Sequence, residues 1–169
     1  MRAKSGEISS RLLDSRILDE NDVAVYYGSW VYVAVHILSA LPDCRTSSDI
    51  ASRLNLPLAR VEETLRWLIE RGIVSKGKDG LTVGTRAMHV GRDSPHVAKH
   101  HMNWRLKAIE RLDPPGDQDL HYTSLLGVSV DCMEAIRSRL LSLLSEIDPL
   151  VEKSLEKEFV LFQFDLMRL

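Results

Sequence analysis

Three observations in the sequence predict an α+β fold, mainly helical, in which a winged helix-turn-helix is followed by a small α/β unit (helix, strand, long helix, strand). Two helix patterns separated by Asn55-Leu56-Pro57 run straight into two short β-prone segments around Lys78-Asp79-Gly80. An uncharged run of 19 residues, Val23 to Leu41, precedes them. A long helical pattern that starts near Ser129 is flanked by one β-prone and one alternating segment.

The chain has 169 residues, 44% hydrophobic and 27% charged, enough for one good core or two small ones. Three regions are expected: a loosely ordered lead-in over 1–21, a helix plus winged helix-turn-helix over 22–92, and a C-terminal α/β subdomain over 93–169. The lead-in carries Arg2, Lys4, Arg11, Asp14 and Arg16 without an apolar core, so it does not read as a signal peptide. Val23 to Leu41 has the length of a membrane span, but Tyr26, Tyr27, Gly28, Ser29, Tyr32, His36 and Ser39 are too polar for one. Although Val31, Val33 and Val35 alternate, the run is too long for a typical strand. One mostly buried helix is expected, capped by Asp22 and ended by Pro42-Asp43, with Trp30, Val33 and Ile37 sharing a face with Tyr26.

The winged segment is expected from Thr46 to Thr85. Ser47, Ser48 and Asp49 all suit an N-cap, and Ile50, Ala51 and Leu54 form the inward face of a short helix. After the turn, Val61, Leu65 and Leu68 stand at i, i+4 and i+7 along Leu58 to Arg71, and Gly72 supplies the left-handed stop. Ile73-Val74-Ser75 and Leu81-Thr82-Val83 then bracket Lys76 to Gly80, whose Asp-Gly is a hairpin signal. The second helix is the candidate recognition helix and the hairpin the candidate wing.

Opposite its apolar stripe the second helix offers Arg60, Glu62, Glu63, Arg66, Trp67, Glu70 and Arg71. Three cations there face three carboxylates, and carboxylates aimed at a polyanion oppose the phosphate neutralisation that supplies most non-specific affinity. Arg60 and Arg66 suit guanine edges, and Lys76 and Lys78 suit phosphates or a minor groove. An exposed Trp67 beside Arg66 and Glu63 suits a protein partner, since interface centres favour aromatic and Arg anchors. The same face equally fits a solvated surface with mutually paired charges. Two functions of different class follow. One is a non-enzymatic, transcription-regulator-like protein that binds DNA, as a homodimer. The other is an adaptor that uses the winged helix as a scaffold and docks a protein through Trp67 and the acidic C-terminal half.

In the remaining chain, Asp93-Ser94-Pro95 reads as a helix start with Ser94 at the N-cap, leading into His96 to Leu112. Asp113 to Asp119 is a loop, and His121 to Val128 reads as a strand. Ser129 or Asp131 can cap a long helix through Met133, Ile136, Leu140, Leu143 and Ile147; with Asp131 as the cap, Glu134 completes a capping box. Pro149 is expected to kink or restart that helix. Val160, Phe162, Phe164 and Leu166 alternate with Leu161, Gln163, Asp165 and Met167, the pattern of a half-buried strand.

Charge and chemistry exclude several classes. Net charge is −2; through Arg92 there are 13 basic and 11 acidic residues, and from Asp93 on, 9 and 13, so a nucleic-acid surface belongs in the first half. Cys44 and Cys132 match no zinc or redox spacing and read as buried thiols in a reducing, cytoplasmic compartment. His96, His100 and His101 lack the further ligands a zinc site needs. No Gly-x-Ser-x-Gly elbow, phosphate loop or paired-carboxylate site occurs, so no catalytic residue, metal or cofactor is expected.

Several short motifs carry a resemblance. Tyr26-Tyr27-x-x-Trp30, Ile50-Ala51-x-x-Leu54, Leu68-x-x-x-Gly72-Ile73-Val74, His101 followed by Ala108, Tyr122-Thr123-Ser124-Leu125 and Phe162-Gln163-Phe164 occur in the order that resembles the "Fibrobacter major paralogous" family. That family's shared region is a bacterial domain of unknown function, and the likeness runs over residues 22–169. The resemblance implies regulatory use and transfers no catalytic residue. Because family members often carry an extra N-terminal region, it also implies either a short member or a C-terminal part of a longer one.

Overall fold

The computed structural model describes residues 19–84 and 94–169. Most of the expected lead-in, Thr85 and the expected boundary at 92/93 lie outside the described residues. The single helix expected over Val23 to Leu41 is instead two, α1 (Glu20–Gly28) and α2 (Trp30–Leu38). Ser29 makes the break: it is extended, at φ −139° and ψ 137°, and its side chain accepts from the Val31 N–H, so it starts a new helix where the apolar run alone would continue the old one. At the front, Asp19 is the cap, accepting from Asp22 N–H at 2.8 Å. Asp22 therefore lies inside the first turn, where its charge favours the positive helix end. The break also re-aims the faces. Tyr26, Tyr27, Val31, Ala34, Val35 and Leu38 are buried, while Ile37, expected to share a face with Tyr26, is 42% exposed.

Next come α3 (Ser47–Leu54), α4 (Leu58–Glu70) and a two-stranded antiparallel sheet of β1 (Val74–Gly77) and β2 (Gly80–Val83). Thr46, rather than Ser47, Ser48 or Asp49, caps α3. Its hydroxyl accepts from Asp49 N–H while the Asp49 carboxylate accepts from Thr46 N–H at 2.8 Å, a reciprocal capping box. Asn55, at φ 51°, turns the chain out of α3, and Gly72, at φ 69°, does so after α4. The register pairs Val74 with Val83 and Gly77 with Gly80, which draws Lys76 and Gly77 into the strand and leaves Lys78-Asp79 as the two-residue turn. Arg45 ties this hairpin to the loop before α3: its carbonyl accepts from Leu81 N–H at 3.0 Å and its guanidinium donates to the Leu81 carbonyl at 3.2 Å. Leu38, Ile50, Val61, Leu68, Ile73 and Val74 fill the centre, each at most 1% exposed.

Helix α5 (His96–Glu110) joins this core from one side. Its N-cap is Pro95 rather than the expected Ser94, although the Ser94 hydroxyl accepts from His96 N–H at 3.3 Å, and it ends at Glu110 rather than Leu112. The buried Asn103 amide donates to the Tyr27 carbonyl at 3.0 Å, satisfying an acceptor freed where α1 ends. Lys107 places its ammonium 4.1 Å from the Trp30 ring centroid.

Helix α6 (Val130–Glu152) is 23 residues long and contains no buried residue. Ser129 caps it by accepting from Cys132 N–H, so the alternative box built on Asp131 and Glu134 is not used. Pro149 does not interrupt it. Lying in the last turn, it removes a single ladder bond and the helix continues to Glu152. The strands expected at His121 to Val128 and across 158–169 do not form: neither segment pairs with another strand among the described residues. Alternation supplies two faces, but a strand also needs a neighbouring edge for its backbone groups. The last segment instead lies along the helices, through an Arg53–Glu158 ion pair at 2.7 Å, Phe159 edge-on to Trp104 at 6.0 Å, and an Arg105–Asp165 ion pair. The sheet of this mainly helical α+β fold is thus the hairpin alone among the described residues.

Candidate nucleic-acid or partner interface

Helix α4 sets the geometry of the candidate surface. Val61, Thr64, Leu65 and Leu68 turn inward and are buried, and Thr64 can be buried because its hydroxyl donates to the Arg60 carbonyl at 2.9 Å. The charged positions face out. Arg60 pairs with Glu63 at 2.8 Å, one turn along, and its guanidinium carbon sits 6.0 Å from the Tyr32 ring centroid. Glu62, Glu63, Arg66 and Glu70 are exposed. Lys76 on β1 and Lys78 in the turn are exposed as well.

Trp67 departs from the expected open anchor. It is half-buried, edge-on to Tyr32 at 5.0 Å, with the Arg71 guanidinium 4.1 Å above its ring. Arg71 is held there by an ion pair with Asp22, in a sequence region 49 residues away, and lies 3.6 Å from Glu70. The cation and the two rings cover one another, so the indole contributes to the packing of α1, α2 and α4 rather than to an open surface. Of the expected contact residues, Arg66, Lys76 and Lys78 make no ion pair among the described residues, whereas Arg60 is engaged by Glu63.

Sequence reasoning passed over Arg45 and the pairing of Arg71 with Asp22, which hold the hairpin and the Trp67 side of α4 in place. No local spacing marks them, because each acts across a long sequence separation. It also passed over a buried polar pair: the Tyr26 hydroxyl is 2.7 Å from His36 Nδ1. Burial pushes Tyr26 well above the ordinary tyrosine range, with a smaller push from Tyr27, and burial pulls His36 below the ordinary histidine value. A neutral imidazole accepting from a neutral phenol satisfies both groups. His100 is lowered as well, by burial first and by His101 second, and sits edge-on to Tyr27 at 5.0 Å. Among the described residues, no group of three or more His, Cys, Asp or Glu side chains is placed to hold a metal ion.

A family model described as "Domain of unknown function (DUF4423)" matches residues 10–169. The chain belongs to the DUF4423 family. No curated protein and no solved structure matches it. The DUF4423 match takes in the α3–α4–hairpin unit and the whole C-terminal half, so both halves are part of one family unit. No helix among the described residues is long and apolar enough to cross a membrane.

Proposed function

We propose that this DUF4423 chain is a non-enzymatic bacterial regulator, acting in the cytoplasm, whose α3–α4–hairpin unit is a winged helix-turn-helix that binds DNA. One observation carries the reading: a short helix, a three-residue turn, an amphipathic helix and a tight hairpin follow in order, and Arg66, Lys76 and Lys78 stand exposed without ion pairs among the described residues. In such a docking the exposed side of α4 enters the major groove, where Arg66 suits a guanine edge, and the hairpin lysines meet phosphates. The motif order that resembles the "Fibrobacter major paralogous" family supports bacterial, regulatory use. Glu62, Glu63 and Glu70 oppose a polyanion, so base contacts and the wing must supply what helix charge does not.

A gel shift with mixed-sequence duplex at low salt tests this. Binding should weaken steeply with salt, and Arg66→Ala should cost about 1–3 kcal/mol of affinity at a preferred site. The second reading, an adaptor with a protein on the outer side of α4, draws on the exposed carboxylates and on the Arg60–Glu63 pair, which already neutralises one of the cations. Absence of any shift at micromolar protein in low salt overturns the DNA reading and leaves the adaptor.

A further inference from the structure

We propose that the exposed face of α6 is a docking surface for a second copy of this chain, with the two α6 helices antiparallel about a two-fold axis between residues 142 and 143. Helix α6 is 23 residues long, about 34 Å at helical rise, and none of its residues is buried. Val130 is 64%, Leu141 48% and Val151 66% exposed. These three belong to a single seam. Val130, Glu134, Arg137, Leu141, Leu144, Asp148 and Val151, four apolar and three charged, follow one another at alternating steps of four and three residues, a spacing that keeps one stripe on one side of the helix; all are exposed except the half-buried Leu144.

The order of charges within the seam identifies the occupant. A second copy placed antiparallel sets Leu141 against Leu144 of the other chain and Arg137 against Asp148, each contact occurring twice by symmetry. A parallel copy at the same level sets Arg137 against Arg137 and Asp148 against Asp148, which repels. Arg137 and Asp148 are both exposed and make no ion pair among the described residues, so each enters the seam without breaking an existing contact. Glu134 lies at the seam's end, where its carboxylate stays in water while its stem meets Val151 of the other copy. Pro149 projects away from the stripe and does not obstruct it.

The extended segments on either side of α6 point the same way. Leu120 is 92%, Tyr122 85% and Phe162 54% exposed, and the backbones of 120–128 and 157–169 make no backbone hydrogen bond among the described residues. A symmetric dimer built on α6 brings two copies of each segment near one another, giving strand edges that a single chain lacks.

Charge reversal on the full chain tests the seam, read by sedimentation equilibrium. The wild-type chain should dimerise. Arg137→Glu and Asp148→Arg should each weaken self-association about tenfold or more, because each sets like charges face to face. The chain carrying both substitutions should recover it, and an equimolar mixture of the two single variants should form a heterodimer in which every 137–148 contact is complementary again. Both positions are on the surface, and far-UV circular dichroism confirms that each variant keeps its helices. A wild-type chain that stays monomeric at the highest soluble concentration overturns the proposal, as do single variants that associate as wild type and a double variant no better than the singles. The readout is mass, so it is independent of whether the hairpin side binds DNA.

Discussion

The two halves of this chain have similar ingredients and different outcomes. Residues 19–84 contain nineteen buried residues, drawn from α1 through β2; residues 94–169 contain one, Asn103. Both halves have apolar stripes at helical spacing. In the first, α2, α4 and the hairpin present surfaces to one another, and Arg45 and Arg71 tie the edges down. In the second, α5 leans on α1 through Asn103 and His100, while α6 and its flanking segments find little of the chain to pack on. An amphipathic pattern thus specifies which face seeks cover, and the neighbouring elements decide whether the chain itself provides it.

Paired substitutions test how deep this difference runs. Leu68, fully buried on α4, and Leu125, 85% exposed, are the same side chain in opposite settings. Leu68→Ala should lower the free energy of unfolding by about 3 kcal/mol, and Leu125→Ala should stay within about 0.5 kcal/mol, measured by denaturant titration. Equal costs would mean that the C-terminal half has a core of its own. The glycines give a smaller contrast. Gly80 has φ +108°, and a Cβ there would lie 2.7 Å from the Arg45 carbonyl oxygen, whereas a Cβ at Gly127 meets nothing within 4 Å. Gly80→Ala should cost about 2 kcal/mol and loosen the tie between Leu81 and Arg45, seen as faster exchange of the Leu81 amide. Gly127→Ala should change stability by less than about 0.5 kcal/mol.

Local chemistry was the legible part of this sequence. The α4 stripe and the Gly72 stop each follow from a few adjacent residues and stand where those residues are, and the Asp79-Gly80 signal marks the hairpin, although its turn is Lys78-Asp79 with Gly80 already in β2. Position Ser29 shows what a periodicity average conceals: one capping hydroxyl splits an apolar run that reads as continuous. The alternation of Val160 through Met167 reports two unlike faces, but the pairing edge a strand requires is not encoded locally, and the segment lies unpaired along α5 and α6. On the candidate interface, the sequence placed Arg66, Lys76 and Lys78 on the surface. It could not show that Trp67 is covered, because the Asp22–Arg71 pair that covers it joins residues 49 apart.

Acid should act first on the half with a core and on the place where α5 joins it. Burial lowers His36 from its ordinary value of 6.5, and burial with His101 lowers His100. As pH falls below about 6.5, the unfolded chain takes up protons that these native imidazoles still refuse, so the unfolded state binds more protons and stability declines with acidification. The decline should end once pH passes below the lowered native values. Asp49 belongs to a separate and more acidic window: the Thr46 hydroxyl and backbone N–H hold it below its ordinary 3.8, and the stability it contributes above that value is lost only as pH falls through the native one. Denaturant midpoints recorded from pH 7.5 to 3 should therefore fall in two stages. His36→Gln keeps an acceptor for the Tyr26 hydroxyl without a group that protonates there, and it should shrink the first stage while leaving the second. Adding His100→Gln should remove most of what is left of the first stage. An unchanged first stage in the double variant would move the acid-sensitive groups out of the α1–α2–α5 contact and into the exposed half.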